Sequence, residues 1–346
     1  MSATRRSFLG RTAAAGLGAA LATRSARAAA LSRRADRRQA ARSAFVRPPR
    51  LAPGDTVGLI NPSSVTPGPQ DADVVGENLS ALGLKIKVAP NALKARTSPE
   101  DRARDVNAMF SDPEVQAILP IRGGWGCARL LQYLDYRAIS RHPKVLMGYS
   151  DTVALLLAIN SRTRLVTFHG PMGNSAFTPD TVAQMRRVLF DSRAVTLTNS
   201  GDAEAVSLIT PGRARGRLFG GNLTVISSIV GSPFLKGNDD LILFLEEVRE
   251  PTSEVDRMLT QLEMSGMLGR VRGLVFGQCT SCMPPMADRS YTFDQVLAEH
   301  VKPLGIPAWT GAQIGHVEGQ FTMPIGLPVE IDARRASIRL LEPAVV

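Results

Sequence analysis

The chain has 346 residues, 44% of them hydrophobic, and a formal net charge of +10. Its basicity is concentrated at the start: residues 1–28 hold Arg5, Arg6, Arg11, Arg24 and Arg27 and no acid, residues 29–50 hold seven arginines against Asp36, and the remainder is close to neutral. The charge balance therefore weakens a nucleic-acid-binding reading, and no later stretch reaches the ~20 apolar residues that a bilayer span needs.

Residues 1–28 read as a twin-arginine signal peptide. Thr4-Arg5-Arg6-Ser7-Phe8-Leu9-Gly10 is followed by a short apolar run and by Ala26-Arg27-Ala28, a small-residue cleavage site. This pattern predicts export of a folded protein to the periplasm, with no stable membrane insertion after cleavage. Residues 29–50, rich in Arg and Ala, read as a basic disordered leader.

Residues 51–190 alternate strand and helix signals. A strand at 55–60 runs into the turn cluster Asn61-Pro62-Ser63-Ser64, a helical pattern at 73–82 stops at Gly83, and a half-buried strand follows at 84–88. Ser98-Pro99 opens a helix to residue 110. A strand at 115–121 leads into Arg122-Gly123-Gly124-Trp125-Gly126 and a helix at 128–134. Then comes Val145-Leu146-Met147, the corner Gly148-Tyr149-Ser150-Asp151 and an apolar helix at 152–159; a strand ending at His169 and a helix at 178–190 complete this part. Strand alternating with helix predicts an α/β fold: an N-terminal doubly wound, mostly parallel sheet, with functional groups at the carboxyl ends of its strands.

Residues 191–212 are polar and punctuated by Gly and Pro, which reads as a linker. Residues 213–346 have a different texture. A Gly-rich stretch precedes a helical run to 230, and a buried strand at 241–245 ends in Glu246-Glu247. A helix spans 253 to about 266, another strand runs from 271 to 278, and residues 306–314 lead to Gly315-His316. Short strands around 323, 329–331 and 338–341 close what reads as a smaller mixed α/β domain.

Ser150, on a corner between strand and helix, has the setting of an exposed nucleophile beside free backbone donors; the competing reading is that Ser150 or Asp151 caps the helix. A carboxylate at Glu246, after five apolar residues, is costly unless paired. Glu247 reads as a solvated neighbour, with Arg249 or Arg257 as ion-pair partners for either acid. Among the four histidines, His142 and His300 read as structural, while His169 competes with His316 for a role as base. Cys279 and Cys282 have CxxC spacing and could close a disulfide in an oxidising compartment. With Cys127 the remaining cysteine, no second ligand pair supports a zinc site, so neither metal nor other cofactor is expected.

Taken in order, Arg122-Gly123-Gly124-Trp125-Gly126-Cys127-Ala128-Arg129-Leu130-Leu131, Gly148-Tyr149-Ser150-Asp151, His169-Gly170-Pro171, Gly220-Gly221-Asn222-Leu223, Leu243-Phe244-Leu245-Glu246-Glu247, Asp256-Arg257-Met258-Leu259 and Gly315-His316 resemble the LD-carboxypeptidase family of serine peptidases. The microcin C self-immunity peptidases are a branch of that family. The resemblance implies Ser150 as nucleophile, Glu246 as carboxylate and His316 as base. It places the oxyanion donors on the backbone amides of Asp151 and of the Gly123-Gly124 turn, chiefly Gly124. Trp125 stands in this substrate-binding turn, where a smaller aromatic is expected. The implied reaction is metal-independent hydrolysis of an L-to-D amide in a muropeptide by a homodimer. The alternatives are a microcin C-type peptidyl-nucleotide hydrolase, a catalytically silent wall-peptide binder, and a generic α/β-hydrolase, which keeps all three residues on one domain.

Overall fold

Short, mostly apolar strands form the centre of the first sheet. The structure, a computed structural model, describes residues 45–346 except 65, 201–205, 236–238, 285 and 287–288. The expected signal peptide and residues 29–44 of the expected leader lie outside the described residues. β1 (Thr56–Ile60), β3 (Ala117–Pro120) and β4 (Val145–Gly148) are buried along almost their entire length, as parallel strands covered on both faces are. With β2 (Lys85–Val88), β5 (Thr167–His169) and β12 (Met323–Ile325) they form six strands in the order β12-β5-β4-β3-β1-β2. The strands from β5 to β2 pair in parallel, and β12 adds antiparallel to β5. β2, expected to be half-buried, is an edge strand and largely exposed.

The second sheet has eight strands, more than the first: β6 (Thr196–Leu197), β7 (Ser207–Thr210), β8 (Arg213–Asn222), β9 (Leu241–Val248), β10 (Val271–Thr280), β11 (Ala308–Thr310), β13 (Pro328–Asp332) and β14 (Ser337–Leu340). Their order is β6-β14-β13-β8-β9-β10-β11-β7. The four central strands β8 to β11 are parallel, and antiparallel strands extend both edges.

Three further expectations change. Residues 191–212 are more than a linker, because β6 and β7 within them form the two outer edges of the second sheet; strands of two and four residues are too short for alternation to reveal. Residues 45–50 are not leader but fold. Val46 bridges Leu165, the Arg50 amide donates to the Val346 carbonyl at 2.9 Å, and Phe45 lies under the guanidinium groups of Arg164 and Arg217. The strand around Met323 leaves the C-terminal sheet and pairs with the first one, placing Met323 opposite His169.

The two sheets meet where β8 ends. A Cβ on Gly220 would run into the Phe244 carbonyl, and a Cβ on Gly221 would lie 2.7 Å from Cγ2 of Val153 and 3.3 Å from Cδ2 of His169. Both glycines have positive φ, +152° and +140°, so the absence of a side chain serves conformation and close approach together. The ends of β4, β5, β8 and β9 are thereby brought to one place. No helix among the described residues is long and apolar enough to cross a membrane.

Candidate active site

β4 reaches the junction through Gly148, where a Cβ would lie 2.9 Å from Thr152 Cγ2. Tyr149 is extended, and Ser150 then turns to φ +59° and opens a single helical turn, Ser150–Thr152, that continues into the helix Val153–Thr163. A non-glycine residue in this left-handed region costs about 1–2 kcal/mol. The helix holds it there, because every residue from Val153 to Asn160 is buried. The result is a sharp elbow with Ser150 half-buried at its tip. Neither candidate cap bonds the helix N-terminus, since Thr152 is the N-cap and no side-chain cap bond forms. The Gly123-Gly124 turn lies directly over the serine: a Cβ on Gly123 would be 3.2 Å from Ser150 Oγ. Gly124 itself has φ +152°.

Glu246, on β9, is 0% exposed. It accepts a hydrogen bond from Nδ1–H of His316 at 2.8 Å; a carboxylate can only accept, which sets this tautomer. His316 is 22% exposed, and with Nδ1 bonded to the carboxylate its Nε2 is the nitrogen left for other chemistry. The loop that carries it is tied down by Thr280, whose hydroxyl donates to the His316 carbonyl at 3.3 Å, and by the Phe321 amide, which donates to the Gln313 carbonyl at 2.7 Å. Burial alone would push the Glu246 carboxyl up. The imidazoles of His169 and His316 outweigh burial and hold it down, to about 2. Glu246 is a permanent anion at neutral pH.

Two neighbours complete the surroundings of the pair, one of them, His169, the competitor for the base in the sequence. His169, fully buried, places Nε2 3.7 Å from Glu246 Oε1. Tyr149 sets its ring edge-on to His316, with centroids 4.9 Å apart, and lies 6.2 Å from His169. Burial raises the Tyr149 phenol, keeping it neutral. Tyr149 could have been suspected only from its place beside the serine.

The other candidates separate by environment. Glu247 is buried rather than solvated and pairs with neither arginine. It accepts from Asn222 Nδ2 (3.0 Å), the Thr224 amide (2.7 Å) and the Val248 amide (2.9 Å), and burial pushes its carboxyl up. Its role is to terminate β9 and seat the helix Leu223–Ile229. The Asp151 carboxylate accepts from the Ser63 hydroxyl and the Cys127 amide, each at 3.0 Å, lacing the 61–64 turn to the Gly-rich turn. Burial, with the Asp151 charge beside it, pushes the Cys127 thiol well up, so it is a poor nucleophile. Trp125 stands out from the turn, 67% exposed. His300 pairs with Asp256 at 2.8 Å, and His142 closes a short helix in the open. Cys279 and Cys282 form a disulfide. Among the described residues no three His, Cys, Asp or Glu side chains converge as metal ligands.

Gly315 makes the carboxylate–imidazole pair possible. Its φ is +90°, and a Cβ there would collide with Oε2 of Glu246. Gly315→Ala is expected to lower kcat roughly 100-fold, the effect of displacing a positioned group by about 1 Å. It should also cost more than the ~1 kcal/mol typical of a strained Gly→Ala change; steady-state kinetics and thermal unfolding of the variant check both.

An elbow serine under a glycine turn, its neighbour Tyr149 packed against an imidazole that is bonded to a buried carboxylate, has the group types used for acyl transfer. Comparison with known proteins points the same way. The family model for the LD-carboxypeptidase N-terminal domain matches residues 57–170, and that for the C-terminal domain matches residues 215–331. The chain is similar to a probable murein peptide carboxypeptidase of Bacillus subtilis, 36% identical over 289 residues, covering 81% of this chain and 89% of that one. It is 28% identical over 244 residues to the murein tetrapeptide carboxypeptidase of Pseudomonas aeruginosa, covering 68% of this chain and 78% of that one. Among solved structures, an MccF-like protein of Bacillus anthracis superposes with a TM-score of 0.77 at 29% identity, over 85% of this chain and 99% of its own.

Proposed function

Since this chain belongs to the LD-carboxypeptidase family, whose members are peptidases, we propose that it is a metal-independent serine carboxypeptidase releasing terminal D-alanine from murein tetrapeptides. The observation that carries this reading is the 2.8 Å bond between His316 and a fully buried Glu246 beside the strained Ser150 elbow. On this reading Ser150 Oγ attacks the carbonyl of the L-to-D amide while His316 takes its proton, then returns it to the leaving D-amino group. Glu246 holds the imidazole in the tautomer that presents a bare Nε2 and stabilises the imidazolium once formed. The backbone amides of Asp151 and Gly124 receive the oxyanion, each contributing on the order of 3 kcal/mol. Water then hydrolyses the acyl-enzyme with His316 as base. Trp125, exposed beside this turn, offers a face for the peptide or its sugar to stack on.

Export by the twin-arginine route to the periplasm, where wall peptides occur, and a homodimeric state belong to the same reading. The likeness to an MccF-like protein favours a second one, hydrolysis of a peptidyl nucleotide of the microcin C type. One experiment addresses both. Purified protein is incubated with a disaccharide tetrapeptide, or with a peptidyl nucleotide, and the products are read by mass spectrometry. The expected result is D-alanine from the first substrate, at a rate that a chelator leaves unchanged. Cleavage of the nucleotide alone would select the second reading, and loss of activity in chelator would remove metal independence.

A further inference from the structure

Glu246 has two oxygens, and the proposed mechanism uses one. Oε2 takes the His316 bond; Oε1 is buried with no hydrogen-bond partner. The nearest imidazole is His169 Nε2 at 3.7 Å, and both ring nitrogens of His169 are likewise buried and unpartnered. Burying three such atoms without bonds is strongly unfavourable. A shift of about 0.8 Å would bring Nε2 and Oε1 to ordinary hydrogen-bond distance and satisfy two of them.

The surroundings leave His169 little else to do. It ends β5, where Met323 pairs with it; Phe244 meets its ring edge-on at 5.3 Å, and Gly221 passes its Cδ2 closely enough to exclude a side chain there. The titratable groups facing the carboxylate are His169 from β5, His316 from its loop and Tyr149 from the elbow; Glu247, next along β9, is engaged with Asn222 and two amides. A purely packing role at such a site is met more cheaply by Phe or Leu, which leave no polar atom to satisfy.

We infer that His169 is a positioning residue for Glu246: its Nε2–H holds Oε1 while His316 Nδ1–H holds Oε2, so the carboxylate is clamped between two imidazoles, one from the end of β5 and one from the loop that follows β11. The clamp fixes the plane of the carboxylate, and through it the direction in which His316 presents Nε2 to the serine. It also lowers the basicity of the carboxylate, so less of its charge is available to the His316 imidazolium. The inference rests on the proposed serine mechanism, and its test includes a measurement that needs no turnover.

His169→Phe keeps ring shape and removes the donor, His169→Gln keeps an amide donor near the position of Nε2, and His169→Asn keeps the chemistry but falls short of Oε1. For each, proton NMR follows the low-field Nδ1–H resonance of a histidine bonded to a carboxylate, assigned to His316 by its loss in Glu246→Gln. The expected result is that Gln preserves the resonance while Phe and Asn shift or broaden it. In turnover, Phe and Asn should lower kcat roughly 10- to 100-fold with KM held, the cost of a misplaced group, and move the acid limb of kcat/KM to higher pH. His169→Gln should restore much of kcat. An unchanged resonance, kcat and pH profile in both Phe and Asn, or equal losses in Gln and Asn, would overturn the clamp. If no peptide is turned over by the wild type yet the resonance follows the donor, the clamp stands and the proposed function fails.

Discussion

Replacing Ser150 with alanine is expected to lower kcat by a factor on the order of 10⁵–10⁶ while leaving the fold intact. A serine peptidase stripped of its nucleophile retains only the contribution of oxyanion donors and substrate binding, which is small against the loss. KM should change little, because the hydroxyl contributes to the transition state and not to binding. Stability offers an independent check on the same residue. Ser150 sits at φ +59°, and alanine there suffers the same left-handed strain as serine. Glycine does not. Ser150→Gly should therefore be as inactive as Ser150→Ala yet more stable than it by about 1 kcal/mol, or roughly 2 °C in thermal midpoint for a domain of this size. Steady-state kinetics and calorimetry of the two variants would establish whether backbone strain is stored at the elbow for catalysis. Equal stability of the Gly and Ala variants would show that it is not.

How much of this was legible before the structure differs from residue to residue, and the differences have physical causes. The elbow was readable because its parts are local: an apolar strand, Gly148, two polar residues and an apolar helix lie within fifteen positions. Glu246 was readable as an anomaly, a charge following five buried residues. Its partner was not readable from periodicity, because His316 lies 70 positions away; only the order of motifs along the chain brought the two together. Glu247 misled for the converse reason. Nothing local reveals that Asn222 and the Thr224 amide of the helix Leu223–Ile229 would supply its bonds, so exposure was the natural expectation and burial the outcome. β12 misled similarly. Met323-Pro324-Ile325 has the same texture as the strands that follow it, and what sends it to the other sheet is the pairing of Met323 with His169, a tertiary fact. His169 thus passed from competitor for the base to neighbour of the acid.

Glu246→Gln is expected to reduce kcat by about 10⁴, as the corresponding carboxylate-to-amide change does in a serine peptidase built on another fold. Glutamine preserves length and shape, but its amide can present an N–H to His316 Nδ1 and so stabilise the tautomer in which Nε2 carries the proton. That tautomer cannot take the serine proton. The substitution also separates two effects of pH. The folded-state carboxyl is held at about 2, below its ordinary 4.5, so its contribution to stability is complete above 4.5 and is lost as pH falls through 2. Wild-type protein should therefore lose stability over this window relative to Glu246→Gln, and the two unfolding curves should converge towards pH 2. Glu246 remains ionised down to that window, so a loss of activity at higher pH must arise from another group. An acid limb of kcat/KM that coincides with the acid loss of stability would mean that titration of Glu246, not of the base, limits turnover. A permanently charged, buried carboxylate requires the two transitions to be separate.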